Sequence, residues 1–330
     1  MNDAYKEAGV DIQAGEAAVR GIKSLVRKTF TPQVLTDLGS FGGCFAFPAD
    51  KYKNPVLVAS TDGVGTKLVV ANLMDRFDSI GQCLVNHCVN DILTTGARPL
   101  FFLDYVGFGK MDPRKIHSII AGLALACEEN GCALIGGEMA EMPGIYREKD
   151  FDLVGTIVGV VERELILHDR VRSGDVLLGL SSSGLHTNGY SLARKVLLSK
   201  FQVNDRLPEL KNLLGDELLK VHRSYLKPVA PLLGAPGLHA ISHITGGGIV
   251  GNTKRIIPED LRLEIDWKAW KWPPIFKLIQ SVGQIDESEM RKVFNLGVGL
   301  VLIVEKLAAD GIKRQLEQNG ESAVYLGHIE

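Results

Sequence analysis

Val56-Leu57-Val58-Ala59-Ser60-Thr61-Asp62-Gly63-Val64-Gly65-Thr66-Lys67 opens the reading of the fold. Val56 to Ser60 is a continuous apolar run, too short for a helix and closed by a polar turn, so it reads as a buried strand. An acid follows the strand at once. Gly63 and Gly65 leave backbone N–H groups bare, and Thr66 and Lys67 come next. That is the composition of a phosphate cradle with a metal-binding carboxylate, Asp62, at its lip. The order does not fit G-x-x-x-x-G-K-[ST]. The same residues also suit a tight glycine turn capped by aspartate.

Working outward, strands and helices alternate. Gly15 to Lys28 carries Val19, Ile22, Leu25 and Val26 on one helical face. Ser79 to Thr95 reads as a helix and Leu100 to Val106 as a strand. Asp112-Pro113 is an N-cap with proline at the first helical position, and Gly131 closes that helix. Ala133 to Ile135 and Phe151 to Val161 are further strands. The charged break at Glu162-Arg163-Glu164 sets two expected domains, residues 1–165 and 166–330. In the second half, strands are expected at 176–180, 240–244, 261–265, 296–304 and 323–329. Helices are expected at 188–200, 249–257 and 274–281, with another ending at Gln318. Phe201 to Leu219 reads as a less regular insertion. Such alternation gives an α/β (α+β) protein.

The remaining motifs repeat the first one. On the helix from Ser79, Ile80, Leu84, Cys88 and Ile92 form an apolar face at steps of four. Beside it runs a polar stripe, Asn86, Asn90 and Thr94, with His87 and Asp91 at the same step. A stripe with so little charge suits a site wall, where Asp91 and Asn90 offer hard oxygens to Mg²⁺. It equally suits a polar face packed on a loop. Leu134 to Gly144 ends a strand in Gly136-Gly137 and presents Glu138. Asp62, Asp91 and Glu138 brought together would repel without a cation, so their convergence would imply a metal. Ser182-Ser183-Gly184, His186 and Asn188 form a hydroxyl- and glycine-rich loop before a helix, an expected anion site. His186 in that loop is also readable as an ordinary surface histidine, and His243-Ile244-Thr245-Gly246-Gly247-Gly248 repeats the design at another strand end. Leu38 to Gly43 has the glycine content of a lid or of a plain flexible loop. Trp267, Trp270 and Trp272 lack a basic stripe and read as packing residues rather than a base-stacking platform.

Composition narrows the function. The 330 residues are 45% hydrophobic, enough for a core in each half, and the net charge of −2 gives no field for nucleic acid. The N-terminal segment carries acids and no apolar run, and the apolar stretch 294–304 is far too short to span a bilayer. Neither a membrane nor a nucleic-acid partner is expected. Five cysteines without a C-x-x-C pair read as reduced, small, buried side chains of a cytoplasmic protein.

Together the motifs resemble the aminoimidazole ribonucleotide synthetase family, the phosphoribosylformylglycinamidine cyclo-ligases. The likeness runs through Tyr5 to Ile12, DGVGTK from Asp62, CVND from Cys88 and PLFFLDY from Pro99. It continues through GGE-x-AEMPG from Gly136, SSGLHTNGYSL from Ser182, HITGGG from His243 and FN-x-GVG from Phe294. Met139 departs from the more usual threonine, and Phe201 to Leu219 does not match closely. The resemblance implies a homodimer in which an N-terminal half-barrel sheet pairs with its twin, and a C-terminal α/β sandwich completes the active site. It implies ATP-dependent closure of formylglycinamidine ribonucleotide to aminoimidazole ribonucleotide, through phosphorylation of the formamide oxygen. Asp62, Asp91 and Glu138 would hold Mg²⁺. Lys23, Gly63, Gly65, Thr66, Lys67 and Asn90 would contact ATP. Ser182, Ser183, Gly184, Asn188, Thr245, Gly246 and Gly247 would bind phosphate of ATP or of the ribotide. Asp91, His186 and His243 would be the catalytic group, the histidines stabilising the phosphoryl group or moving protons. The alternatives are a sister ATP-dependent enzyme, such as a selenophosphate synthetase or a thiamine-phosphate kinase, and a nucleotide-binding regulator without turnover.

Overall fold

The computed structural model describes residues 4–330, so Met1, Asn2 and Asp3 of the expected first domain lie outside the described residues. In chain order the first half contains α1 (Ala4–Glu7), α2 (Ile12–Lys28), β1 (Pro55–Gly63), α3 (Lys67–Met74) and α4 (Asp78–Leu93). These are followed by β2 (Arg98–Phe108), α5 (Pro113–Glu129), β3 (Ala133–Glu141) and β4 (Phe151–Glu162). The second half contains β5 (Val176–Ser181), α6 (Tyr190–Leu197), α7 (Leu214–Leu218), α8 (Leu226–Val229), β6 (Leu238–His243) and α9 (Gly248–Thr253). It ends with β7 (Leu263–Ile265), α10 (Pro274–Gly283), α11 (Glu287–Val293), β8 (Val298–Val304), α12 (Ala309–Gln318) and β9 (Ala323–Ile329).

Capping explains the two long outer helices. The Asp11 side chain accepts from the Ala14 N–H at 3.0 Å to start α2. Asp112 accepts from the Arg114 N–H ahead of Pro113 to start α5. Helix α4 differs, because all but three of its sixteen residues are buried. A helix covered on every side sits in the middle of the molecule. It packs on β1, β2 and β4 and on α5, and its remaining side meets the second half.

The first sheet runs in the order β1-β4-β2-β3, antiparallel except for the β2–β3 pair. Its helix side is covered by α2, α4 and α5. The opposite side has little cover. Leu57 is 62% exposed, and Ala59 and Thr61 are exposed beside it. Val154, Thr156 and Val158 on β4, with Phe101, Leu103 and Tyr105 on β2, are only half-buried. The expectation of a fully buried strand at Val56 to Ser60 is therefore corrected. Strand β1 is an edge strand whose alternate residues face solvent, because nothing among the described residues covers that face.

The second sheet is wholly antiparallel, in the order β6-β8-β5-β9-β7. Every residue of β8 is buried, as its run of apolar side chains requires when both faces are covered. One face joins a core that runs on into the first half, through Leu178, Leu180, Leu300 and Leu302. The other, with Leu177, Val301, Ile303 and Leu326, closes a smaller core against Trp267 and Trp270. The structure is thus a mixed α/β molecule with two sheets. Helices α3 and α11 were not anticipated. The cysteines are free thiols, but Cys44 is exposed, because it lies on the glycine-rich loop rather than in the core.

Candidate active site

Four separate pieces of chain meet at one group of side chains. Asp62 stands at the carboxyl end of β1, and His87 and Asp91 lie one turn apart on α4. Thr187 comes from the loop between β5 and α6, and His243 from the end of β6. The His87 Nε2–H donates to Asp62 Oδ2 at 2.9 Å and lies 3.7 Å from Asp91 Oδ2. Asp91 Oδ1 accepts from His243 Nδ1–H at 2.7 Å, and its Oδ2 accepts from Ser60 Oγ–H at 3.0 Å. Two carboxylates are therefore each backed by an imidazole. Their side chains remain partly open, 41% for Asp62 and 26% for Asp91, whereas His87 and His243 are buried behind them.

Charge follows the geometry. Burial pushes the carboxyls of Asp62 and Asp91 up, but the bonds from His87 and His243 outweigh it, and both lie below the usual range. Burial lowers His87, yet the bond to Asp62 and the nearby Asp91 charge leave it raised. His243 is lowered by burial despite its bond to Asp91. His186 and His222 are driven well down by burial, with the other imidazoles adding to it. Of the four imidazoles, His87 alone is held above its ordinary value, beside two carboxylates held below theirs.

His186 sits deeper than a surface-loop reading requires. Its ring stacks on His222 with centroids 4.0 Å apart, and its backbone takes a left-handed φ of 61°. Nε2 accepts from the Ser183 N–H at 3.3 Å, so the proton lies on Nδ1, which is buried without a partner among the described residues. The ring fits only because residue 299 is glycine, where a Cβ would stand 2.4 Å from His186 Cε1.

Other expected residues go elsewhere. The Lys67 ammonium is fully buried and donates to the carbonyls of Lys220 (2.6 Å) and His186 (3.0 Å), so it ties the halves together. Thr66 Oγ1 pairs with Ser191 across the same seam. Gly63 N–H donates to Asp62 Oδ1 at 2.6 Å, and Gly65 supplies a left-handed turn. Asn90 is fully buried. Its amide donates to the Arg223 carbonyl, and its oxygen accepts from the Tyr225 N–H. The Ser182 and Ser183 hydroxyls donate to Gly184 and Val221 carbonyls, whereas Asn188 is half-exposed and lies against the exposed Gly246. Thr245 Oγ1 donates to Asn252, whose amide gathers the Thr245, Gly246 and Gly248 carbonyls. Gly247 is exposed beside them.

Glu138 does not join Asp62 in this chain. Strand β3 is three places from β1, roughly 14 Å at the usual strand spacing. Glu138 instead lines a cavity of 560 Å³, enclosed by Val19, Ile22 and Val26 of α2, the 38–43 glycine loop and the end of β3. Lys23 rises from the same helix and is paired with Asp37 at 2.7 Å. Asp104 also faces this cavity, and burial pushes its carboxyl up to about 7. Gly137 makes room for it, since a Cβ there would come within 2.4 Å of Asp104 Oδ1.

His222, the bridge between His243 and Thr187, is absent from the sequence expectations. It stands alone between Val221 and Arg223, outside any glycine motif. The available signal was indirect: Asn86 and Asn90 needed buried partners, and the segment 222–225 supplies them.

Comparison with known proteins accords with this architecture. Residues 47–161 match the N-terminal domain, and residues 172–330 the C-terminal domain, of AIR synthase related proteins. A phosphoribosylformylglycinamidine cyclo-ligase of Bacillus pumilus is 49% identical over 100% of this chain and 96% of its own length. One from Geotalea daltonii is 50% identical over 98% of this chain and 94% of its own. Among solved structures, thiamine-monophosphate kinase from Stenotrophomonas maltophilia superposes with a TM-score of 0.71, covering 94% of this chain and 93% of that one at 17% identity. The hydrogenase maturation protein HypE in complex with ATP gives a TM-score of 0.62, covering 95% and 86% at 17% identity. These distant structures share the fold, and the full-length sequence identity goes further: the chain belongs to the phosphoribosylformylglycinamidine cyclo-ligase family.

Proposed function

We propose that this chain is an ATP-dependent ligase that closes formylglycinamidine ribonucleotide to aminoimidazole ribonucleotide in purine biosynthesis. The observation that carries the reading is the pair of ionised, half-open carboxylates, Asp62 and Asp91, each held from behind by a buried imidazole. The relatives of matching length carry the name of that reaction, and a protein of the same fold binds ATP. The formamide oxygen of the substrate is a poor leaving group. Transfer of the γ-phosphoryl group to it releases ADP. Attack by the amidine nitrogen on the activated carbon then expels phosphate and a proton as the ring closes. Such transfer needs positioning and charge neutralisation more than covalent help from the protein.

The donor set fits Mg²⁺, which takes a few carboxylates and leaves its other positions to phosphate and water. Both carboxylates reach toward the same His87 Nε2, so their oxygens lie close together and ionised. Bound there, the ion would offset the charge of the triphosphate. His87 and His243 hold the two acids in place. We assign the 560 Å³ cavity to the base of ATP, with Asp104 as a carboxyl able to donate as well as accept near neutral pH. Lys23 would stand near the nucleotide, and Asn188 with Gly246 and Gly247 would take the ribotide phosphate.

Dimerisation explains the open sheet and the distant Glu138. Closing two half-barrels edge to edge sets β1 of one copy beside β3 of the other, which covers Leu57 and brings a Glu138 toward an Asp62. Such closure also removes both free edges. Free thiols agree with a cytoplasmic enzyme, and no helix among the described residues is long and apolar enough to cross a membrane. The test is ADP release from Mg²⁺-ATP with formylglycinamidine ribonucleotide, read beside formation of the aminoimidazole product. Equal amounts of both support the reading. ATP binding without ADP release would favour a regulator, and turnover with thiamine phosphate instead would favour the kinase reading.

A further inference from the structure

We infer that His222 is a positioning residue that fixes His243, and through it Asp91, from across the seam between the two halves. The inference rests on the reading of Asp62 and Asp91 as the acids facing the nucleotide. His222 is fully buried. Its backbone is anchored on α4: its N–H donates to Cys83 Sγ at 3.3 Å, and its carbonyl accepts from Asn86 at 2.8 Å. From that anchor the ring reaches three groups. Its Nε2–H donates to His243 Nε2 at 3.1 Å and Nδ1 accepts from Thr187 Oγ1–H at 3.3 Å, while the Asn90 amide packs against the ring edge at 3.2 Å from Nε2.

A carboxylate only accepts, so His243 must spend its Nδ1–H on Asp91. Its one remaining nitrogen is Nε2, and His222 is the only hydrogen-bond partner it has among the described residues. Without that partner the His243 ring is held at one end only. Thr187 also pairs with His87 Nδ1 at 2.8 Å, so a circuit closes as Asp62–His87–Thr187–His222–His243–Asp91. Both ends of this circuit are the half-open acids. Their mutual placement is therefore set from behind, by a ring whose far side is His222. Burying an imidazole costs free energy that an apolar filler would not. Outer hydrogen bonds of this kind orient the groups that do the chemistry.

Asparagine and glutamine separate this role from packing, because the asparagine amide occupies the Nδ1 position and the glutamine amide reaches the Nε2 position. In the ADP-release assay, His222→Asn should lower kcat about tenfold while the KM values for ATP and ribotide stay within about twofold. His222→Gln should keep kcat within about threefold of wild type. Wild-type kcat in both variants, or equal loss in both in step with their melting temperatures, would overturn the inference. A second readout is independent of substrate: the slowly exchanging His243 Nδ1–H proton signal should persist in His222→Gln and be lost or shifted in His222→Asn. An unchanged signal in both variants refutes the positioning role. A wild-type enzyme that keeps the signal pattern but releases no ADP with this ribotide refutes the functional reading instead.

Discussion

Replacing Asp91 by asparagine keeps the side-chain shape and removes the charge on which the proposed site depends. Asp91 accepts two hydrogen bonds, from His243 at 2.7 Å and Ser60 at 3.0 Å, and the asparagine amide must turn an N–H toward one of these donors. A hydrogen bond to a charged group is worth about 1.5–3 kcal/mol, and its loss here falls on stability. The effect on turnover is larger, because in the proposed site the acid is also one of two hard oxygen donors for the triphosphate's cation. Removing one preorganised electrostatic contact of this kind costs about 10²–10³-fold in kcat, roughly 2.7–4 kcal/mol. The assay is ADP release as a function of Mg²⁺ at saturating ATP and ribotide, with circular dichroism as a check on folding. Asp91→Asn should fold, melt a few degrees lower and lose kcat by that factor at every Mg²⁺ concentration. A folded variant with wild-type turnover and unchanged Mg²⁺ dependence would take Asp91 out of the site.

Acid should destabilise the enzyme early. His186, His222 and His243 are held below their ordinary values, so the unfolded chain protonates them first, and stability present above about pH 6.5 is lost as pH falls through that value. His87 is raised and works the opposite way, adding stability below about pH 6.5 that is lost as pH rises through its folded value. Three groups against one give a lower melting temperature at about pH 5.5 than at about pH 7.5, and equal melting at both would contradict the buried cluster. On the open sheet, Leu57→Glu puts a charge into the proposed dimer face. Light scattering should then report a folded monomer, and a persistent dimer would place the interface elsewhere. Lys67→Met leaves carbonyls of Lys220 and His186 unpaired in the seam. It should cost about 2 kcal/mol or more in urea unfolding, whereas unchanged stability with a raised KM for ATP would return Lys67 to the phosphates.

Much of the fold was legible because period and punctuation agreed. Asp112-Pro113 announced α5, and the apolar run ending at Val304 announced the burial of β8. Strand β1 misled, because a short apolar run reads as buried whether or not its own chain covers both faces. Helix α3 was hidden by the glycine turn just before it. The polar stripe of α4 divided by depth: His87 and Asp91 reach the site, while Asn86 and Asn90 pair with the 222–225 segment. That division depends on what lies opposite each side chain, which spacing along one helix does not encode. Asp62 and His243 were named from strand ends, and they meet Asp91 of the α4 stripe. Glu138 was named by the same rule and stands at the far edge of the sheet, since the rule gives a level along the strands and not an order across them. His222 carried no motif and became visible only as the partner of His243.

The most direct test follows the oxygen. Formylglycinamidine ribonucleotide labelled with ¹⁸O in its formyl group should pass that oxygen to the released phosphate, one label for each ring closed, with ADP formed in equal amount. Unlabelled phosphate alongside full formation of the aminoimidazole would contradict phosphorylation of the formamide oxygen as the step that activates ring closure.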